Sequence, residues 1–147
     1  MSLLDAPVYD PAAERRRTLR TAVIIGVAIV LVMIVYLNRF WPEVHVVNNF
    51  FVALEKKDYN TAYGIWMADP KWEQHPQKHA RYPFNEFYTD WGPGGEWGII
   101  NNHKVEGALH PEGGGNGVVV IVIVNGRAET AHLRVDKSDK TLSFFPY

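Results

Sequence analysis

The sequence predicts an α+β protein, with a single N-terminal transmembrane helix followed by three helices packed on a curved antiparallel sheet of about four strands. Three observations predict it. Residues 21–38 form an apolar run without a charge, residues 42–91 repeat apolar positions at helical spacing, and residues 99–145 read as β-branched or alternating segments separated by turn signals.

The apolar run, TAVIIGVAIVLVMIVYLN, would make about 27 Å of helix, close to the thickness of a bilayer's hydrocarbon core. Arg15, Arg16, Arg17 and Arg20 crowd its N-terminal side, while Tyr36, Phe40 and Trp41 stand at the other end, where aromatic rings favour the headgroup region. That arginine bias places residues 1–20 in the cytoplasm as a short basic tail, broken by Pro7 and Pro11 and without order of its own. The domain of residues 42–147 is then extracytoplasmic, and the expected location is a bacterial inner membrane with the domain in the periplasm. A buried core helix would carry a polar face, which this run lacks. A cleaved signal peptide would end in small residues, whereas this run exits through Tyr36, Leu37, Asn38, Arg39, Phe40 and Trp41. Gly26 does not form a GxxxG pair with Ala22 or Ala28, so helix pairing is not signalled.

Composition narrows the function classes. The chain has no cysteine, which removes disulfides, thiolate metal ligands and a cysteine nucleophile. Residues 40–147 carry a net charge of −3 with no basic stripe, against nucleic-acid binding, whose affinity comes mainly from phosphate neutralisation.

Within the domain, Val46, Val47, Phe50, Phe51 and Leu54 mark one face of a helix running to about Lys57. Asp58 suits the cap of a second helix, in which Tyr59, Ala62, Tyr63 and Trp66 share a face until Asp69 and Pro70 stop it. A third short helix follows Pro83, with Phe84, Phe87, Tyr88 and Trp91 at the same spacing before the GPGG turn of residues 92–95. Ile99, Val105 and Leu109 fall on one parity of a first strand. Residues 118–124 are a seven-residue β-branched strand, and Asn125-Gly126 is a hairpin turn. The third strand alternates Ala131, Leu133 and Val135 against Thr130, His132 and Arg134, and residues 141–145 form the last.

The run FFVALEKKDYNTAYGIW of residues 50–66, then a short aromatic helix, then an antiparallel sheet with a long VVVIVIV strand, resembles the nuclear-transport-factor-like superfamily, also called ketosteroid-isomerase-like, with its cystatin-like cone. The resemblance covers roughly residues 43–147 and rests on element order and an aromatic helix pair. It implies the fold and leaves function open, since such domains include isomerases, dehydratases, transport adaptors and noncatalytic modules of membrane proteins.

A ketosteroid-isomerase-like pocket would need a carboxylate base and a tyrosine donor in an apolar cone. Its possible members are Tyr63, Tyr88, Asp90 and His103, with Trp66 and Trp91 as walls; the bland reading makes the aromatics core and the polar residues hydrogen-bonded structure. Glu73, His75 and His79 have a metal-like spacing, but Pro76 between them favours a polar loop, and no cofactor or metal is expected. The glycine-rich run of residues 110–117 joins strand to strand, unlike a phosphate loop, which leads into a helix. The 118–124 strand is apolar on both parities. Val119, Ile121 and Ile123 would therefore face either a partner chain or the aliphatic stems of Lys104 and Arg134.

These features make a noncatalytic, membrane-anchored accessory or scaffold subunit the favoured expectation. Its partners would be the lipid bilayer and other subunits of a respiratory or photosynthetic membrane complex, or a second copy of itself. The alternative is a membrane-tethered small-molecule-binding or isomerase-like domain.

Overall fold

The computed structural model describes residues 11–145, so what the sequence suggests for residues 1–10 of the tail and 146–147 of the domain lies outside the described residues. The chain divides into two units, Met1–Arg39 and Phe40–Tyr147. Among the described residues the first contains one helix, α1 (Pro11–Leu37), 27 residues long with none buried. It is long and apolar enough to cross a membrane. Side chains close its polar ends. The hydroxyls of Thr18 and Thr21 donate to the carbonyls of Glu14 and Arg17, the Asn38 amide donates to the Ile34 carbonyl, and the Arg39 guanidinium lies 4.3 Å from the Tyr36 ring centre.

The second unit is α+β. Three α-helices, α2 (Trp41–Glu55), α3 (Tyr59–Trp66) and α4 (Phe84–Trp91), precede an open antiparallel sheet in the order β1 (His103–Leu109), β2 (Gly117–Val124), β3 (Thr130–Asp136) and β4 (Leu142–Phe144). Pro42 sits in the first turn of α2, where its missing N–H is no loss. Asp58 caps α3 by accepting from the Thr61 amide at 3.1 Å and the Thr61 hydroxyl at 2.7 Å; the hydroxyl bond chiefly holds its carboxyl below the usual range. Both helices end on left-handed residues that are not glycine, Lys57 (φ 58°) and Ala68 (φ 51°). The amides of Asp58 and Asp69 turn back there to the carbonyls of Ala53 and Gly64.

α2 lies across β1, β2 and β3. Its buried Val47, Phe50, Phe51 and Leu54 meet Val118, Val120, Val122 and Val124 of β2 and Ala131, Leu133 and Val135 of β3. The middle of this core is aromatic. Phe50 touches Phe51, Trp66, Phe87 and Trp91 at centroid separations of 5.0–6.1 Å, mostly edge to face, an arrangement worth about 0.5–1.5 kcal/mol per pair beyond burial.

Two local features depart from the pattern read in the sequence. Glu106 is an extra residue in β1: Val105 pairs with Val122, but Gly107 pairs with Ile121. This bulge flips the parity, so Val105 packs on the core while Leu109 is 42% exposed on the opposite face; Ile99 lies outside the strand and is also exposed. The polar stretch after α3 folds as two 3₁₀ turns, Trp72–Gln74 and Pro76–His79.

Candidate functional site

The residues considered for a cone pocket are placed apart. Tyr63 is buried, and its hydroxyl donates to the Tyr82 carbonyl at 2.7 Å; burial raises its pKa. Trp66 is buried among Phe50, Phe87 and Trp91. Tyr88 is 45% exposed and edge-on to Tyr59. His103 stacks on Phe51 with both ring nitrogens engaged, Nδ1 2.6 Å from Glu55 Oε1 and Nε2 3.0 Å from Asn48 Oδ1, so it ties β1 to α2. Asp90 is exposed at the end of α4 and accepts from the Tyr82 hydroxyl at 2.7 Å. Burial first, and the Asp90 carboxylate second, push the Tyr82 phenol well above its ordinary pKa, so it remains a donor at neutral pH. Tyr82 thus joins Tyr63 to Asp90. No spacing pattern pointed to it, because it lies just outside a helix.

The Glu73–His75–His79 pattern is rearranged by the two 3₁₀ turns. His75 Nδ1 and His79 Nε2 both lie 3.0 Å from one oxygen of Asp69, whose other oxygen accepts from the Lys71 amide at 3.1 Å. A carboxylate only accepts, so each histidine presents an N–H to it. The His79 bond chiefly holds the Asp69 carboxyl below its ordinary pKa. Glu73 is elsewhere, on the wall of another groove. Among the described residues no three such side chains are arranged to hold a metal ion.

Of the aromatic belt residues, Tyr36 and Trp41 are largely exposed, Trp41 stacking on His45. Phe40 is half-buried against the domain's core and edge-on to His110. Arg15, Arg16, Arg17 and Arg20 are exposed along α1. On the sheet face away from the core, Val119 is buried while Ile121 and Ile123 are half-buried. Their cross-strand neighbours are Leu109, Gly107 and Lys104 on one side and Arg134, His132 and Thr130 on the other. Arg134 reaches across Gly117, where a Cβ would lie 2.6 Å from its Nε, so its stem shields the Val119 end of this face more than the Ile123 end.

Two surface depressions bear on function. One, about 550 Å³, lies between α2 and α3 and includes Val46, Ile65, Trp72 and Lys140. Its polar groups are mostly committed: Lys140 Nζ bonds the buried Glu43 at 2.7 Å, the Thr61 hydroxyl bonds Asp58, and the Asn60 carbonyl accepts from the Trp72 indole at 3.2 Å. The second is an aromatic trough beside the end of α4. Two hollows of about 460 Å³ and 260 Å³ share Trp91, Glu96, Trp97 and Phe144, with Asp90 on the first and Ala131 and Leu133 on the second. Asp90 accepts from the Tyr82 hydroxyl, but neither Asp90 nor Glu96 has an ion-pair partner among the described residues. The buried Trp91 Nε1 has no acceptor among them either.

Comparison with protein-family models, with curated proteins and with solved structures finds no match to this chain.

Proposed function

We propose that this chain is a noncatalytic accessory subunit of a bacterial inner-membrane assembly. It is anchored by α1, with the arginine-flanked end in the cytoplasm, and its second unit docks on partner proteins in the periplasm. The observation that carries the docking part is β2. The strand is apolar on both faces, and only the face bearing Val118, Val120, Val122 and Val124 belongs to the domain's core. The other bears the buried Val119, whose cross-strand neighbour Leu109 is exposed, and the half-buried Ile121 and Ile123, where each apolar group left in water forgoes about 1.5–3 kcal/mol of burial.

The noncatalytic part is supported by what fills the interior. The middle of the core is filled by the rings of Phe50, Trp66, Phe87 and Trp91, and the Tyr82 hydroxyl beside them is spent on Asp90. Arg15, Arg16, Arg17 and Arg20 before the apolar run support the orientation.

The test is extraction of native membranes in mild detergent followed by native electrophoresis and cross-linking with mass identification. The expected result is migration well above monomer size with other polypeptides cross-linked. Migration alone at monomer size overturns the reading, and cross-links only between copies of this chain replace it with a homodimeric module. The joint change Ile121→Ser/Ile123→Ser is expected to release the larger species while leaving the circular dichroism of the domain unchanged.

A further inference from the structure

The trough beside α4 is built by two glycines that let the chain double back. A Cβ at Gly92 would lie 2.3 Å from the Tyr88 carbonyl oxygen, and one at Gly95 would lie 2.0 Å from that of Asp90. The turn therefore presses on the last turn of α4, which sets Glu96 and Trp97 beside Asp90 and Trp91. Phe144 of β4 closes the other side, parallel to Trp91 within 3° at a centroid separation of 5.8 Å and 53% exposed. Arg127, which does not line the trough, holds Trp97 in place with its guanidinium 5.7 Å from the ring centre and a 2.9 Å bond to the Glu96 carbonyl.

Three properties define the occupant. Aromatic faces next to two carboxylates without ion-pair partners favour a cation carried on an apolar stem, because the ring faces and the carboxylates attract the same charge. The buried Trp91 Nε1 calls for a hydrogen-bond acceptor, since an orphan N–H inside a fold is a standing cost. The two hollows share Trp91, Glu96, Trp97 and Phe144, one reaching Thr89 and Asp90 of α4 and the other residues 131–133 of β3, so the trough is elongated. An extended peptide segment meets all three conditions better than a compact molecule does.

We infer that the trough receives an extended basic segment of a partner protein. A lysine or arginine stem lies on Phe144 and Trp91 with its charged head between Asp90 and Glu96, and a neighbouring backbone carbonyl accepts from the Trp91 indole. This rests on the docking function proposed above. The indole nitrogen is sealed from solvent, so seating the segment requires a side chain packed over it to move.

The test uses the full chain in mild detergent micelles with ¹⁵N-labelled tryptophan, titrated with the blocked tripeptide acetyl-Gly-Lys-Gly-amide and with its norleucine counterpart. The lysine peptide is expected to shift the indole signals of Trp91 and Trp97 and not those of Trp41 and Trp72. The norleucine peptide should bind about tenfold more weakly, and the double change Asp90→Asn/Glu96→Gln should erase that difference. Equal shifts by the two peptides, or no shift at Trp91 and Trp97, overturn the inference. Native electrophoresis of the double variant separates the two claims: partners retained while the peptides fail leaves the docking function standing without the trough. A wild-type chain that migrates alone removes the docking function, whatever the peptides do.

Discussion

Asn125 offers the sharpest check on how the segment after Trp97 is held. It occupies the first left-handed position of the hairpin turn, with φ 52° followed by φ 66° at Gly126, and its side chain reaches back to the connector before β1. Its Oδ1 accepts from the Asn101 amide at 2.8 Å and the Asn102 amide at 3.4 Å, and its Nδ2 donates to the Ile99 carbonyl at 2.9 Å. The two shorter bonds contribute about 1 kcal/mol each and the longer one little. Asn125→Gly keeps the turn and loses the bonds, a destabilisation of about 2 kcal/mol. Asn125→Ala adds the left-handed backbone penalty, roughly 1 kcal/mol more, for about 3 kcal/mol in all. Guanidinium unfolding of the full chain in detergent micelles, followed by tryptophan fluorescence, should rank wild type above glycine above alanine. Amide exchange at Asn101 should quicken in both variants. Alanine and glycine variants of equal stability, or both within about 0.5 kcal/mol of wild type, would refute the reasoning.

Three further outcomes follow from the same geometry. Gly95→Ala places a methyl against the Asp90 carbonyl and should cost about 1–3 kcal/mol, with a changed near-ultraviolet signal from Trp97; an unaltered spectrum and midpoint would show that the turn does not press on α4. Asp69 has its folded pKa below its ordinary value of 3.8, so the stability it adds is present above that value and is lost as pH falls through the lower folded value. Titrated from pH 6 downward, wild type should therefore lose an increment of stability that Asp69→Asn lacks, and parallel curves for the two proteins would exclude it. Val27→Arg, at the middle of α1, should disfavour membrane insertion by about 2.5–3.5 kcal/mol, read as protein released by alkaline carbonate; unchanged retention in the membrane pellet would count against α1 as a bilayer-spanning helix.

Much of the fold was legible because period and polarity agree over long stretches. The spacing of Val47, Phe50, Phe51 and Leu54 marks α2, Asp58 before Tyr59 marks the start of α3, and Asn125-Gly126 marks the hairpin. What escaped has no local signal. The helix stops at Lys57 and Ala68 use left-handed residues with none of glycine's signature. The Glu106 bulge swaps the faces of Val105 and Leu109, because an extra residue in a strand looks like any other until its partner strand is known. The Glu43–Lys140 pair joins residues 97 positions apart in the chain. The candidate site was half legible. Asp90 and Trp91 stood out on the third helix, but Trp97 and Phe144 come from segments whose meeting depends on the turn at Gly92 and Gly95 and on where β4 lands.

The way polar groups are used up across the domain bears on which surface carries the function. His103, Asp69, Tyr63 and Tyr82 were all available for chemistry by residue type, and each is committed to a structural partner. Among the described residues only two buried side-chain atoms lack a hydrogen bond, Glu43 Oε2 and Trp91 Nε1. They are not equivalent. The Glu43 carboxylate is already neutralised through its other oxygen by Lys140, so its deficit is partial. The Trp91 indole has one donor and no acceptor, and folded chains seldom leave such a group alone. One unmet donor on a residue that lines a trough, beside carboxylates without an ion-pair partner, is what singles out this surface for the proposed partner segment.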